Sequence, residues 1–345
     1  MTPMEMPRAW DPARQPLECV AVREETRDVR TFVFRAGPGT MFRYRPGQFV
    51  TLQIPAKDGP LHRSYTLASS PSRPFAVSVT VKAQEGSEGA RWLFDNLRPG
   101  GKIRALGPMG HFTLSDPPGG MPLLLLSAGS GITPMMSMLR WCADLAPMTE
   151  VTFVQCARTE GDLLFRDELE SIARAMPRLR LAYVIAKGVA EAPYLSGRMD
   201  MELMKLVVPD FAERKVYCCG PEMFMASMRE GLVAGGLDPD HYAQESFGVV
   251  EAAPAPITEG GVAISFSVSG IEARGDTSRT ILEVARGAGV AISSACGMGL
   301  CGTCKVRASG PVEMRHQGGI FDDEIADGMI LACCSHPLGP VEVEA

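Results

Sequence analysis

Cysteines near the end of the chain carry its most specific chemistry. Cys296, Cys301 and Cys304 are spaced C-x4-C-x2-C, and the pair Cys333 and Cys334 follows downstream. Three thiolates from one tight loop and a fourth brought in from afar suit a [2Fe–2S] core. Glycines at 297, 299 and 302 let the loop turn sharply and bring its N–H groups towards sulfur. A zinc site would show two short paired spacings instead of a triplet plus one. A Rieske cluster needs two histidine ligands, and the five histidines (62, 111, 241, 316 and 336) form no Cys-x-His pair. All-cysteine ligation at low potential follows. Such a centre moves electrons singly, and the source of those electrons lies upstream.

Two other stretches have chemical character. In Leu124-Leu-Leu-Ser-Ala-Gly129-Ser-Gly131-Ile132-Thr133-Pro134 an apolar strand runs into a glycine turn that opens a helix. A pyrophosphate can approach such a backbone, and the helix N-terminus favours its charge. The run departs from G-x-G-x-x-G by ending in proline, and Arg158 stands after the second strand where an acid would grip a ribose. In His62-Arg63-Ser64-Tyr65-Thr66 a cation, a ring and hydroxyls alternate, so a strand could pair a phosphate and stack on a ring. Taken singly, each also reads as an ordinary strand–helix turn or a half-exposed strand.

The elements that must position these groups fall into three rhythms. Short β-type runs, 17–22, 31–35, 48–54 and 75–81, are punctuated by Pro-Gly and predict a small antiparallel barrel or sandwich. From about residue 121 strand and helix alternate (122–127, 134–142, 151–154, 165–175, 179–185, 216–219, 222–234), predicting a parallel sheet with crossover helices. A Pro/Ala/Gly-rich linker over 249–261 precedes a strand at 262–268, a helix at 280–288 and the cysteine loop. That linker predicts mobility of whatever follows it.

Bulk properties exclude several roles. The 345 residues are long enough for two or three domains, and the net charge of −6 gives nucleic-acid binding no electrostatic support. No apolar run approaches a membrane span, no signal peptide is read, and ten cysteines in such a chain suggest reduced thiols in the cytoplasm. From Val262 onward ten acids face six bases, an excess that could steer a basic redox partner or simply be solvated surface.

Arg63-Ser-Tyr-Thr66, Gly107-Pro-Met-Gly-His-Phe112, Gly129 to Pro134, Cys219-Gly-Pro-Glu-Met223, Glu245-Ser-Phe247 and the cysteine loop occur in one order along almost the whole chain. In that order they resemble a ferredoxin–NADP reductase-type flavoprotein fused to a plant-type ferredoxin domain. Reductase components of Rieske non-haem iron oxygenases are of this kind, as is the reductase of hybrid cluster protein. The resemblance implies a FAD-binding β-barrel over 15–117, a parallel α/β NAD(P)-binding domain over 118–248, and an α+β β-grasp ferredoxin domain over 262–345.

It also implies roles. Arg63 would bind flavin phosphate, Tyr65 would pack on the isoalloxazine, and Thr66 would lie near flavin N5, with Ser64 beside them. Val79, Val81 and Lys82 on one strand, with Gly89, Ala90 and Arg91 at the start of a helix, would hold the rest of the cofactor. Ala90 replaces the hydroxyl residue common in the family. Gly129, Gly131, Ile132, Thr133 and Pro134 would take the nucleotide pyrophosphate, assisted by Arg158. Cys219, Gly220, Pro221, Glu222 and Met223, with Glu245 and Phe247, would lie near the nicotinamide. Thr66, Cys219 and Glu245 are the catalytic candidates. Cys296, Cys301, Cys304 and Cys333 would ligate the cluster, the last because the family's fourth ligand stands four residues before a proline, here Pro337.

The Gly-Pro-x-Gly-x-Phe run is similar to the FAD-binding branch, not the FMN-binding one. Lys187 and Arg198 lie in segments that resemble those gripping a 2′-phosphate, but Ala186 and Asp200 replace Ser and Tyr. A carboxylate at 200 would repel phosphate, so NADH is expected over NADPH. The implied activity is electron transfer from NADH through FAD and the [2Fe–2S] cluster to a partner protein, the terminal component of a Rieske monooxygenase of the quaternary-amine demethylase type. Two rivals stand beside it: a reductase of hybrid cluster protein, and a redox-sensing carrier without hydride chemistry of its own.

Overall fold

The computed structural model describes residues 7–56, 60–84, 86–114, 120–188, 192–247, 261–294 and 296–345. Most of the expected linker lies outside them.

The first unit is a six-stranded antiparallel sheet. Its order is Leu61–Thr66, Phe49–Ile54, Lys102–Met109, Leu17–Thr26, Val29–Arg35 and Val77–Lys82. A bridge between Leu67 and Val79 joins the two ends, so the sheet closes into a barrel. Alternate side chains fill it: Phe32, Phe34, Val50, Leu52, Val77, Val79 and Val81 form one core. The strand Lys102–Met109 escapes periodicity analysis because Gly107 and Pro108 interrupt it. The helix Glu88–Asn96 lies over the barrel and buries Gly89, Ala90 and Leu93.

The second unit is a six-stranded parallel sheet in the order Leu195–Ser196, Leu179–Ile185, Val151–Ala157, Leu123–Ala128, Lys215–Cys219 and Tyr242–Glu245. The run of leucines explains its centre. Leu123 and Leu125 enter the core on one face, Leu124 and Leu126 the core on the other, and all four are fully buried. Each such side chain contributes roughly 1.5–3 kcal/mol. The chain leaves Leu123–Ala128 towards Val151–Ala157 and later returns on the opposite side at Lys215–Cys219. The carboxyl ends of those strands form the switch point where ligands of open α/β sheets sit. The helix opens with a 3-10 turn over Gly129–Gly131 and runs Ile132–Leu145, earlier and longer than its apolar spacing suggests.

The third unit is a five-stranded mixed sheet in the order Ile271–Gly275, Val262–Phe266, Val341–Val343, Lys305–Ser309 and Met329–Leu331. Val262–Phe266 pairs in parallel with Val341–Val343, and the helix Ile281–Gly287 packs across, capped reciprocally by Thr280 and Glu283. The short strands after the cysteine loop carry too few residues for a periodic signal.

These units are packed together. Ser137 Oγ donates to Ser69 O at 2.7 Å, and Arg140 Nη1 donates to Ala68 O at 2.6 Å, tying the parallel-sheet unit to the barrel. Leu106 and Met109 of the barrel form one apolar cluster with Leu300 and Phe321 of the third unit. That contact counters the expectation of a mobile ferredoxin unit, because releasing it would expose four buried apolar side chains.

Candidate electron-transfer centre

The cysteine loop is shaped by its glycines. Gly297, Gly299 and Gly302 all take positive φ. The turn aims backbone donors at sulfur: Leu300 N and Cys301 N each lie 3.3 Å from Cys296 Sγ, and Met298 N lies at 3.5 Å. Gly299 N donates to Cys333 Sγ at 3.3 Å. The distant pair is thus differentiated, because the Cys334 thiol points at Leu331 O at 3.6 Å. Backbone N–H groups aimed at thiolate sulfur offset the negative charge of an all-cysteine cluster, so the donor set fits.

The strand Leu61–Thr66 presents the second group. Arg63 packs against the start of the helix Glu88–Asn96 so closely that a Cβ on Gly89 would sit 3.1 Å from Arg63 Cγ. Ser87, before that helix, makes no side-chain cap to its first N–H groups. Such a cradle of guanidinium and helix N-terminus fits a diphosphate. Ala90 is buried there and Arg91 exposed. Tyr65 is partly buried against the barrel core. The Ser64 hydroxyl is spent on Thr51, at 2.9 Å.

Thr66 reaches the other unit. Its Oγ1 is buried without a hydrogen-bond partner, as is Glu245 Oε2, and the two groups face each other without a well-formed bond. Burial pushes the Glu245 carboxyl up to about 8, against a smaller opposing pull from Thr66. Strand register sets Glu245 directly beside Cys219. Burial, with Glu245 and Cys218 nearby, holds the Cys219 thiol well above its usual range. The three candidates Thr66, Cys219 and Glu245 therefore converge.

A cleft of about 1110 Å³ opens beside them, between the barrel and the carboxyl end of the parallel sheet. Gly129 lines it at the first turn, Gly220 to Met223 at the second, with Arg158, Arg198 and Phe247 around the rim. The two turns touch through backbone: a Cβ on Gly131 would lie 2.1 Å from Cys219 O. Ile132, Thr133 and Pro134 are buried beneath the turn and shape it from below. Lys187 stands outside the lining, joined to the rim by its N–H to Arg158 O at 2.9 Å. Met223 and Phe247 present exposed apolar surface to the cleft, suited to a planar ring.

Two expectations need adjustment. Val79 and Val81 point into the barrel core, so only their backbone is free to meet a cofactor; Lys82 does line the cleft, paired with Asp28 at 3.2 Å. Glu245 is the last residue of the strand Tyr242–Glu245. Asp200 caps the helix Met201–Val207, its Oδ1 accepting from Glu202 N and Leu203 N at 3.1 and 2.9 Å. Ser227, missed in the sequence, lines the cleft one helical turn after Met223, an i+4 signal that was available.

Barrel, parallel sheet and cysteine loop together define an iron–sulfur flavoprotein reductase. Family models match in the same order: an oxidoreductase FAD-binding domain over 16–114, an oxidoreductase NAD-binding domain over 125–230, and a 2Fe-2S iron-sulfur cluster binding domain over 266–338. The chain belongs to the family of FAD- and [2Fe–2S]-dependent NADH oxidoreductases that act as reductase subunits of monooxygenases. It is 44% identical to the stachydrine N-demethylase reductase subunit of Rhizobium meliloti, covering 100% of both chains. It is 39% identical to the glycine betaine monooxygenase reductase subunit of Pseudomonas aeruginosa, covering 98% of this chain and 97% of the relative. Phthalate dioxygenase reductase shares the fold, with a TM-score of 0.59 at 24% identity over 96% of this chain and 97% of that one. Among the described residues no helix is long and apolar enough to cross a membrane.

Proposed function

We propose that this protein supplies electrons from NADH to the oxygenase component of a Rieske monooxygenase that demethylates a quaternary amine. The full-length likeness to two reductase subunits of that kind supports the choice of partner. The observation that carries the reading is the convergence of Thr66, Cys219 and Glu245 at one mouth of a cleft, with the cysteine loop packed on the same barrel.

Bound FAD supplies the conversion of a two-electron hydride into single-electron steps. The chain's own residues orient and tune. Oxidising one NADH to NAD+ releases two electrons and one proton, and the electrons leave singly. Arg63 and the Gly89–Arg91 backbone hold the flavin diphosphate. Tyr65 and Phe247 pack on rings. Gly129 to Pro134 and Arg158 seat the nucleotide pyrophosphate, and Gly220 to Met223 the nicotinamide side, with Lys187 and Arg198 at the adenosine end. At neutral pH Glu245 is protonated at its carboxyl and can donate a hydrogen bond towards Thr66 and the reacting ring. Cys219 excludes water beside it. Cys296, Cys301, Cys304 and Cys333 ligate the cluster.

The domain limits we favour are 15–117, 118–248, a linker at 249–261, and 262–345. The setting is cytoplasmic, a reading supported by ten cysteines that form no disulfide among the described residues. Replacing Cys301 with Ser tests the relay. It should abolish reduction of a one-electron protein acceptor while sparing reduction of a flavin-level dye. Survival of both activities would sink it. Demethylation of glycine betaine or stachydrine on mixing with a cognate oxygenase tests the partner.

A further inference from the structure

Between the barrel and the ferredoxin unit lies a buried polar knot that the proposed chemistry leaves unused. Lys305 Nζ pairs with Glu324 Oε1 at 2.6 Å, and their side chains are only 4% and 11% accessible. From the barrel, Gln53 Nε2 donates to the same Glu324 oxygen at 3.1 Å. The Lys305 ammonium also donates to His62 Nε2 at 2.9 Å, and His62 is 4% accessible. Gln53 and His62 stand directly opposite each other on adjacent strands. Glu324 is held from its own side, its Oε2 accepting from Phe321 N at 2.9 Å. Around this knot Arg104 lies 4.3 Å over the Phe321 ring and pairs with Asp323 at 3.2 Å. Gly302 of the cysteine loop is pressed so near that a Cβ there would meet His62 Cδ2 at 3.6 Å and Leu106 Cδ1 at 3.7 Å.

A buried ion pair is a poor source of stability, since desolvation offsets its attraction. What it does supply is geometry, because charged partners tolerate few arrangements. The covalent neighbours of this knot show which geometry. Lys305 directly follows the cluster residue Cys304, and His62 directly precedes Arg63 of the flavin strand. Strand alternation turns His62 to the ferredoxin unit and Arg63 to the opposite face. The knot therefore stands one residue along the chain from a cluster cysteine on one side and from Arg63 of the flavin strand on the other.

We propose that Gln53 and His62 of the barrel, with Lys305 and Glu324 of the ferredoxin unit, are positioning residues that hold the cluster loop at a fixed place against the flavin strand. They thereby set the rate of internal electron transfer. The inference rests on the functional reading above and adds a device to it.

The test uses full-length holoprotein carrying the double substitution Gln53→Ala and His62→Ala, which leaves the Lys305–Glu324 pair inside its own unit. With NADH, flavin bleaching should keep its rate and KM, while cluster bleaching slows about ten-fold or more, the scale expected when a reacting pair is misplaced. Small-angle scattering should show a larger maximum dimension, and the electron paramagnetic resonance signal of the chemically reduced cluster should be unchanged. Gln53→Ala alone, which removes one hydrogen bond and no charge, should show the same split in smaller measure and covers failure of the double variant to fold. Wild-type cluster bleaching in either folded variant overturns the proposal, as does an equal slowing of both steps with unaltered scattering. Failure of the wild type to bleach its cluster with NADH overturns the functional reading instead.

Discussion

Cys219 and Glu245 stand abreast on neighbouring parallel strands, at the carboxyl end of the sheet where the two glycine turns open. Burial raises the affinity of both groups for protons, and the nearby carboxyl raises that of the thiol further. Both sit behind the cleft wall beside Gly220, where exclusion of water favours their neutral forms.

Stability should record this. The folded chain keeps a proton on Glu245 that the unfolded chain releases between about pH 4.5 and 8. The folded state binds more protons in that window, so stability declines as pH rises through it. Glu245→Gln should lose that part of the decline, measured as Tm against pH for both proteins. Parallel curves would contradict the burial of the carboxyl.

Gly131→Ala should separate nucleotide from flavin chemistry. The new Cβ would collide with Cys219 O at 2.1 Å and force the two turns apart. We expect kcat/KM for NADH to fall about 100-fold, with FAD and iron content retained. Unchanged kinetics would mean that the turns are not the nucleotide seat.

The adjacent cysteines should behave differently. Cys333→Ser should lose cluster iron and visible absorption, because Cys333 Sγ is the one that receives the Gly299 N–H. Cys334→Ser should keep both. The reverse pattern would reassign the fourth ligand.

Asp200→Ala should cost about 1 kcal/mol of stability, the usual worth of a helix N-cap, read as a lower Tm. Because its carboxylate is engaged on the helix, the preference between nucleotides should change less than about ten-fold, below 1.4 kcal/mol. The wild type should favour NADH in kcat/KM, and a large advantage for NADPH would refute that preference.

What could be read from the chain was local. C-x4-C-x2-C with its glycines, the glycine turn after Leu124–Leu126, and the alternating barrel strands all constrain the backbone within a few residues of themselves. Even there the sequence left open which face of one strand is the inner one. Val79 and Val81 share a face, and only closure of the barrel makes it the inner one.

By itself the sequence determined the three kinds of unit, their order, and the cofactor chemistry each can host, because turns, periodicity and ligand spacing are short-range properties. Tertiary structure alone decided which distant groups share a site. Glu245 meets Thr66 through two sheets folded against each other, and residues 53, 62, 305 and 324 meet through apolar packing of the ferredoxin unit on the barrel. Those partners lie far apart along the chain, and no local preference encodes which of them will be buried together. The fold selects them by excluding water from the largest apolar area it can close.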